Sequence, residues 1–401
     1  MNILYLCDEY PPGRHGGIGT YVRLIARQMA KLGHKVIVAG MYSTGYGGDS
    51  EFIDEGVKVY RFRWKSDGTW ADDRQLLLSK LTNRILRDTG VIENHIKQSL
   101  ISYEAKLEQL ITDEQIDIVE MPDYNDYIRF CKSYVPFPQL SVPVVVKMNG
   151  TITYFDNEAG LPTGAHIVKM EQAILNQASA VSSASRYTAE KSAGYLNYDK
   201  PITVLYNGIN TDLKLAEILR NPLQVVFTGS LVQKKGIYQL AKAWNIVNKN
   251  IPDARLLILG KGPQKAVADY LSDGVKSSVT FKGHVPADEL YGILSSSAIA
   301  VFPSYAEAFA LAPLEAMACG AAVINSNRTS GPELVEGSIN GLLVDPDNIN
   351  QLAEAILLLL KDAELCTRLG KAGNEKVKAF FDINIIAKQT LEFYEGVLSN
   401  A

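Results

Sequence analysis

The sequence has few cysteines, no excess of positive charge and no long apolar run, and each shortage excludes a class of protein. The four cysteines stand far apart, at Cys7, Cys131, Cys319 and Cys366. This spacing lacks the close pairs of a metal or redox motif, so it predicts free thiols in a reducing, cytoplasmic compartment. A formal net charge of −4 argues against nucleic acid as the main partner. No segment reaches the ~18 apolar residues that a membrane-spanning helix needs.

The composition that remains is typical of a globular enzyme. Apolar residues make up 47% and charged residues 21% of the 401 residues. A chain of this length exceeds one compact core, so we expect two domains. The apolar residues 1–7 are followed at once by Asp8 and Glu9 and are not preceded by a basic segment. This start predicts a first strand rather than a signal peptide.

Strand and helix patterns alternate along the chain, and the alternation restarts half-way. Apolar runs that predict strands lie at residues 3–7, 35–40, 57–62, 117–121, 143–148, 180–183, 224–228, 255–259, 279–281, 298–302, 322–324 and 342–344. Helical periodicity lies between many of them, the first at residues 20–32. The alternation predicts an α/β protein with two parallel, doubly wound sheets. We place the N-terminal domain at residues 1–205 and the C-terminal domain at 206–380, with a last helix within 381–401.

Residues 72–112 carry two amphipathic helical patterns. The first places an apolar stripe beside basic residues: Leu76, Leu77, Leu81, Ile85, Lys80, Arg84 and Arg87. The second runs from Ile92 to Leu110. One interpretation is a surface that contacts a membrane or an acceptor. The other, which charged stripes favour in general, is the solvated face of a packed helix.

Residues 304–320 carry two carboxylates, Glu307 and Glu315, with seven residues between them. Pro313 suits the first position of a helix, because its ring fixes a helical φ. That start predicts Ala312 as the N-cap and Glu315 in the first turn, with Glu307 in the entry loop. Alanine caps poorly, so N–H groups at this helix start are open to an anion such as a phosphate. A structural interpretation stays open, because a glutamate near a helix start is also a common cap.

Two loops that follow predicted strands have the residues of a phosphate site. The first, residues 13–19, is rich in glycine, and the second contains Lys235 and Gly236. The glycine spacing is not that of a dinucleotide fingerprint, and the lysine is not in a Walker A order. Glycine lets a backbone approach a ligand, and lysine neutralises phosphate. Tight turns and an exposed lysine are the alternatives.

Polar and aromatic residues stand at the carboxyl ends of the N-terminal predicted strands: Tyr10, Asp123, Tyr124 and Asn149. In open parallel sheets, ligands bind at those ends. Their position therefore makes these residues candidates for a ligand site.

Together these features resemble the retaining GT-B glycosyltransferases of family four. The resemblance rests on motifs spread over the chain: Gly16-Gly17, Lys235-Gly236, the E-x7-E spacing of Glu307 and Glu315, and residues 315–324 and 330–333. It implies two Rossmann-like domains whose parallel sheets face each other across a cleft. The N-terminal domain would bind the acceptor and the C-terminal domain the donor, and the last helix would cross back to the N-terminal domain.

The resemblance also implies roles for individual residues. The implied catalytic residues are Lys235, Glu307 and Asn149. The implied donor-binding residues are Gly16, Gly17, Ser230, Lys235, His284, Val285, Glu307, Phe309, Ala310, Leu311 and Glu315. The strand-end candidates Tyr10, Asp123 and Tyr124 are assigned to the acceptor. In this scheme Lys235 and backbone amides neutralise the diphosphate, Glu307 contacts the donor sugar and Glu315 the ribose diol.

Two positions depart from the family pattern. Ser230 stands where the family usually has an arginine, which removes a cation and a bidentate contact. Asn149 stands where a histidine is common, and an amide can orient a sugar hydroxyl but cannot titrate. The acidic pair Asp345 and Asp347 is similar to a metal motif but precedes a helix, so it is interpreted as a turn and cap. We therefore expect no metal and no cofactor.

The implied function is hexosyl transfer, with retention, from a UDP-sugar such as UDP-glucose. The acceptor would be a saccharide or a lipid-linked saccharide in surface or exopolysaccharide synthesis. The enzyme would be cytoplasmic, and a peripheral contact with the inner face of the membrane stays open. Two alternatives remain: a GT-B sugar-nucleotide epimerase, and a degenerate, non-catalytic binder of sugar nucleotides. A phosphorylase would need a pyridoxal lysine or a free-phosphate site, and the sequence points to neither.

Overall fold

The computed structural model describes residues 1–43, 46–64, 89–213 and 219–400. The chain divides into two compact units: unit 1 is Met1–Gly208 with Ile383–Ala401, and unit 2 is Ile209–Asp382. The first boundary follows Gly208, three residues after the expected residue 205, and the second follows Asp382, two residues after the expected residue 380. The first amphipathic pattern, around Leu81, lies outside the described residues.

Each unit contains one β-sheet. The strands are β1 Asn2–Leu6, β2 Lys35–Tyr42, β3 Glu51–Asp54, β4 Val57–Arg63, β5 Ile118–Pro122, β6 Val144–Met148, β7 Ala180–Ser183, β8 Ile202–Val204, β9 Asn221–Thr228, β10 Arg255–Leu259, β11 Val279–Gly283, β12 Ser297–Phe302, β13 Ala322–Ser326 and β14 Leu342–Val344. Unit 1 has the order β3-β4-β2-β1-β5-β6-β7-β8, and unit 2 has the order β11-β10-β9-β12-β13-β14. Neighbouring strands run parallel, apart from β3 and β4, which pair antiparallel.

Helices follow most of the strands. They are α1 Gly17–Lys31, α2 Val91–Glu114, α3 Ile152–Glu158, α4 Ala165–Gln177, α5 Arg186–Leu196, α6 Ile237–Asn250, α7 Gln264–Ala268, α8 Ala287–Ser296, α9 Leu311–Ala318, α10 Gly331–Leu334, α11 Ile349–Lys361, α12 Ala363–Phe380 and α13 Ile383–Ser399. Apolar side chains from these helices close over the sheets and form the buried cores of the two units.

The two sheets, parallel except for the β3–β4 pair, confirm the α/β fold that the alternating patterns predict. The sequence pattern does not predict β3, an edge strand in which exposed and half-buried residues alternate. An edge strand with one solvated face needs few apolar side chains, so its signal is weak. The acidic residues at both of its ends, Glu51 and Asp54, discourage pairing with another strand.

Helices α1 and α13 cover one face of the unit 1 sheet. The Tyr394 hydroxyl on α13 donates a hydrogen bond to buried Glu120 at 2.7 Å. The Lys147 ammonium lies 3.9 Å from the centroid of the Tyr21 ring. Burial raises the pKa of Glu120, and it lowers the pKa of Lys147 to about 8 although Glu120 opposes that shift. The last helix is therefore part of the unit 1 core and is fixed there by a buried polar network.

The core of unit 2 surrounds Trp244, which is fully buried and donates its indole N–H to Ser278 at 2.9 Å. The first and last residues of this unit lie side by side. The Ile209 N–H donates to the Phe381 carbonyl at 3.0 Å. This contact holds the two ends of unit 2 together.

Candidate functional site

The carboxyl ends of β9, β12 and β13 border a small pocket in unit 2. Its walls include Thr228, Lys235, Ser304, Glu307 and Asn325. The Thr228 hydroxyl is buried and has no hydrogen-bond partner among the described residues. Because an unpaired buried hydroxyl is costly, this pocket suits a ligand or water that carries hydrogen-bonding atoms.

Two loops that line this pocket are held together by a close backbone approach at Gly236. This residue has a φ of +68°, and a Cβ on it would lie 1.8 Å from the Pro303 carbonyl oxygen. Glycine is required there for both reasons. The neighbouring Tyr305 N–H donates to the Lys234 carbonyl at 2.7 Å. The loop after β9 and the loop after β12 therefore run against each other.

This packing brings Lys235 to Glu307. The Lys235 ammonium donates a hydrogen bond to a Glu307 carboxylate oxygen, and the Ser304 hydroxyl donates to the same oxygen at 3.1 Å. The two charged side chains are 25% and 16% exposed. The resemblance implies a diphosphate contact for Lys235 and a sugar contact for Glu307, and here the two charges neutralise each other in one half-buried pair.

Helix α9 begins at Leu311, two residues earlier than Pro313 predicts, so Ala310 rather than Ala312 is its N-cap. Proline is tolerated at the third position as well as the first, because no N–H in the first turn has an intrahelical partner. Ala310 has a φ of −76° and is unstrained, and no side chain caps the helix. The start of α9 borders the pocket. The positive end of the helix dipole therefore favours an anion there.

Glu315 occupies the fifth position of α9, so its prediction in the first turn is wrong. Burial raises the pKa of its carboxyl to about 7. The charge of Glu315 in turn raises the pKa of Tyr291 on α8, although burial is the larger cause there. A carboxylate held in such a site gains from hydroxyl donors. This environment is compatible with the predicted ribose contact, which stays a prediction.

The remaining residues predicted to bind the donor lie on surface loops or line the pocket. Ser230 and His284 are exposed, and Val285 is half-buried just before α8. Phe309 is buried in the pocket wall, and its ring centroid lies 5.5 Å from that of Phe381. Ser230 and His284 therefore remain accessible to a ligand, whereas the Phe309 side chain is buried.

The glycine loop of unit 1 leads directly into α1, which begins at Gly17, three residues earlier than its periodicity predicts. Gly16 is the N-cap, and both glycines are exposed. The helix has no acidic residue in its first turn. Glu9 instead accepts the Gly19 N–H at 2.7 Å. Sequence reasoning did not assign Glu9, and its only signal is an acidic residue directly after the first strand.

The candidates at the carboxyl ends of the unit 1 strands differ in their exposure. Tyr10 is fully buried and its hydroxyl donates to Asp54 at 2.7 Å. Tyr124 is half-buried. Asp123 is buried, and its Oδ1 accepts the Asn149 N–H at 2.8 Å. The structure thus brings Asp123 and Asn149 together, while Tyr10 presents no surface to a ligand.

Asp123 has the environment of a titratable site residue. Burial raises its pKa to about 7, although the Asn149 amide lowers it. Its Oδ2 is buried and has no hydrogen-bond partner among the described residues. Asn149 itself donates its side-chain amide to the Lys147 carbonyl at 3.1 Å. The titrating group in this pair is therefore the aspartate, and the asparagine supplies amide dipoles.

The acidic pair Asp345 and Asp347 forms ion pairs with Arg328, at 2.7 and 2.6 Å. Among the residues that the structure describes, no group of three or more His, Cys, Asp or Glu side chains could hold a metal ion. In that same part of the chain, none of the helices combines the length and the apolar character needed to cross a membrane.

Comparisons with known proteins bear on the family and the fold. The model of the family described as "Glycosyltransferase Family 4" matches residues 15–213, and that of "Glycosyl transferases group 1" matches residues 212–376. The chain is 24% identical to a glycogen synthase of Mycobacterium tuberculosis over 98% of this chain and 94% of the relative. The two family models together cover residues 15–376.

Solved structures share the fold with this chain, including the following two. Sucrose-phosphate synthase from Thermosynechococcus elongatus aligns with a TM-score of 0.74 and 21% identity over 100% of both chains. Anabaena HepE in complex with UDP-glucose aligns with a TM-score of 0.68 and 17% identity over 99% of this chain and 100% of that chain.

Proposed function

The chain belongs to the family 4 glycosyltransferases of the GT-B fold, and from this premise we propose that it transfers a hexosyl group from a UDP-sugar to a saccharide or lipid-linked saccharide. The transfer retains the anomeric configuration and serves the synthesis of a surface or exported polysaccharide. The observation that carries the proposal is the joint placement of Lys235, Glu307 and the uncapped start of α9 around one pocket.

Transfer of this kind needs a site that stabilises a leaving diphosphate. Lys235 supplies a cation, and the first N–H groups of α9 supply dipoles that already point in a fixed direction. Preorganised donors of this type stabilise developing negative charge more than they stabilise the ground state. The phosphate displaces the Lys235 ammonium from Glu307, which frees that carboxylate for the hydroxyls of the donor sugar.

The reaction proceeds through an oxocarbenium-like sugar while the bond to the diphosphate breaks. The leaving phosphate oxygen accepts the proton of the attacking acceptor hydroxyl on the same face, so retention needs no side-chain base. Glu315 binds the ribose diol and thereby fixes the nucleotide. Asn149 orients a sugar hydroxyl through its amide, in keeping with its inability to titrate.

UDP is the proposed nucleotide because it is bound together with glucose in a HepE complex and together with alpha-GlcNAc-glycerol in a complex of S. aureus TarM. These proteins share the fold with this chain at identities of 18% and 13%. The donor sugar proposed is glucose or a close relative.

The proposal is tested by incubating the protein with UDP-glucose and a panel of saccharide acceptors and by measuring UDP release and product. Transfer with retained configuration supports the proposal. Conversion of the UDP-sugar to an isomer in the absence of acceptor would instead identify an epimerase. Binding of UDP-sugars without any UDP release would identify a non-catalytic binder, an alternative that the exposed Ser230 in place of an arginine favours.

A further inference from the structure

The wall of the unit 2 pocket contains buried hydrogen-bonding side chains that have no role in the proposed chemistry. They are Thr228, Asn325, Thr329 and Ser330, which are 8%, 7%, 5% and 5% exposed. The Asn325 side-chain oxygen accepts the Ser326 N–H at 3.0 Å, and Ser330 precedes α10 without capping it through its side chain. The pocket therefore has polar groups beyond the Lys235–Glu307 pair.

The Thr228 hydroxyl has an unmet hydrogen bond. Its oxygen is shielded from bulk solvent and has no hydrogen-bond partner in the described part of the chain. Valine has the shape of threonine without the hydroxyl, so it would fill this position at a lower cost to the fold. Strand β12 lies between β9 and β13, so Thr228 and Asn325 border the pocket from opposite sides of that strand. Stability thus does not explain the hydroxyl, which points to a ligand in the pocket.

The size and the charge of the pocket limit the group that Thr228 can bind. The space open to water-sized groups is about 20 Å³, which is room for a single oxygen-sized group. The phosphate proposed to bind Lys235 is larger than this space, so it lies at the rim, and the interior takes a smaller group. Lys235 and Glu307 are the charged side chains of the described wall, and they neutralise each other. A neutral hydroxyl therefore fits the interior better than a phosphate or a carboxylate.

The loop after β13 holds its part of the wall in one conformation. Thr329 has a φ of +58°, which residues other than glycine rarely adopt. A Cβ on Gly331 would lie 1.8 Å from the Ser326 carbonyl oxygen, so only glycine fits there. A wall with a fixed backbone favours a ligand whose hydrogen-bonding groups match it, and it thereby favours selectivity.

We propose that Thr228 is a specificity-determining residue, whose hydroxyl binds one hydroxyl group of the transferred sugar inside the pocket. This inference rests on the proposed function, in which Glu307, in the wall of the same pocket, contacts that sugar. A sugar hydroxyl both donates and accepts, so it can pair with Thr228 and with a second group of the wall such as the Asn325 amide. A donor that lacks this hydroxyl leaves Thr228 unpaired and is therefore a poorer substrate.

The test compares the full wild-type chain with Thr228→Val on five donors, in the presence of the acceptor panel. The donors are UDP-glucose and the four UDP-deoxyglucoses that each lack one hydroxyl of the glucosyl group. UDP release gives kcat/KM for each donor, and the ratio of wild type to variant cancels differences in donor reactivity. We expect a ratio on the order of ten for UDP-glucose and for three of the deoxy donors, as one lost hydrogen bond predicts. For the deoxy donor that lacks the hydroxyl bound by Thr228, the ratio should be about one, because the contact is already absent.

Two further variants and a stability measurement serve as controls. Thr280→Val removes an exposed hydroxyl from the edge strand β11, and its ratio should stay within about twofold for all five donors. Thr228→Ser keeps the hydroxyl and should keep the wild-type order of preference among the donors. Without ligand, Thr228→Val should melt at the wild-type temperature or above it, since its hydroxyl has no partner to lose in the described part of the protein.

The outcomes separate this inference from the function on which it rests. Equal ratios for all five donors, beside wild-type turnover of UDP-glucose, would overturn the inference and leave the proposed function intact. Failure of Thr228→Val to fold, or a clear drop in its melting temperature, would also overturn it, because the hydroxyl would then have a structural role such as holding a bound water. If the wild-type chain binds the donors without UDP release, transfer is refuted, and the same ratios taken from dissociation constants test the inference. If it binds none of the five donors, both are rejected.

Discussion

Replacing Lys235 by alanine tests the proposed site most directly. The change removes the cation that pairs with Glu307 and leaves the negative charge of that carboxylate beside the expected diphosphate. Loss of one preorganised donor to a developing anion costs about 2–4 kcal/mol in the barrier. The variant should therefore lose about 30- to 1000-fold in kcat/KM, since about 1.4 kcal/mol corresponds to a factor of ten.

The fold should survive this change. The two side chains are 25% and 16% exposed, and an ion pair that solvent reaches contributes about 1 kcal/mol or less to the free energy of unfolding. The assay is UDP release from the donor, with the melting temperature measured beside it. Lys234→Ala is the matched control, because this neighbouring lysine is exposed and lies outside the pocket. It should keep activity within about threefold.

A second variant separates the two parts of the expected loss. Glu307→Gln in the Lys235→Ala background removes this negative charge, so donor binding should recover partly while turnover stays low. Residues in direct contact are expected to show such non-additivity. A loss below threefold in Lys235→Ala, or a double variant whose donor binding equals that of the single variant, would refute the reasoning.

Three further predictions concern other parts of the chain. Because burial raises the pKa of Glu315 to about 7, the native state holds a proton that the unfolded state lacks between about pH 4.5 and 7, and stability falls as pH rises through that window. Glu315→Gln should therefore raise the free energy of unfolding at pH 8 by up to about 3 kcal/mol and weaken donor binding. Urea unfolding at pH 5 and at pH 8 checks this prediction. An equal increase in the free energy of unfolding at both pH values would contradict it. Gly236→Ala should destabilise the fold by several kcal/mol, because its Cβ would lie 1.8 Å from a carbonyl oxygen, whereas Gly274→Ala, with open space at its Cβ, should leave the melting temperature unchanged. Tyr394→Phe should cost about 1–3 kcal/mol, because it leaves a buried carboxylate without its hydroxyl donor, and faster amide exchange across α13 would be its signature.

The sequence predicts the order of elements well because alternating apolar runs are a strong signal. Arg255–Leu259 and Leu342–Val344 are strands with the predicted bounds. Helix starts are less reliable, because proline and glycine fit more than one position. Pro313 occupies the third position of α9 rather than the first, and Gly17 lies inside α1 although glycine has a low helix propensity.

The candidate site is also predictable from the sequence only in part. The spacing of Glu307 and Glu315 points to a site, but it cannot show that Glu307 pairs with Lys235, because that contact joins residues from different loops. The approach of Gly236 to Pro303 that creates the pair depends on backbone conformation. The hydrogen bond from the Gly19 N–H to Glu9 at the start of α1 depends on the conformation of the intervening loop. A sequence pattern predicts neither a loop conformation nor the distance between two side chains.

The position of α13 has a consequence for the order in which the two units complete their folding. Residues Ile386 and Tyr394 complete the same core as Ile3 and Tyr5, near the other end of the chain. During synthesis, the core of unit 1 therefore stays incomplete until Ile383–Ser399 has been translated. Unit 2 is one continuous segment and has no such delay. The half that is translated second is therefore the half that can finish folding first.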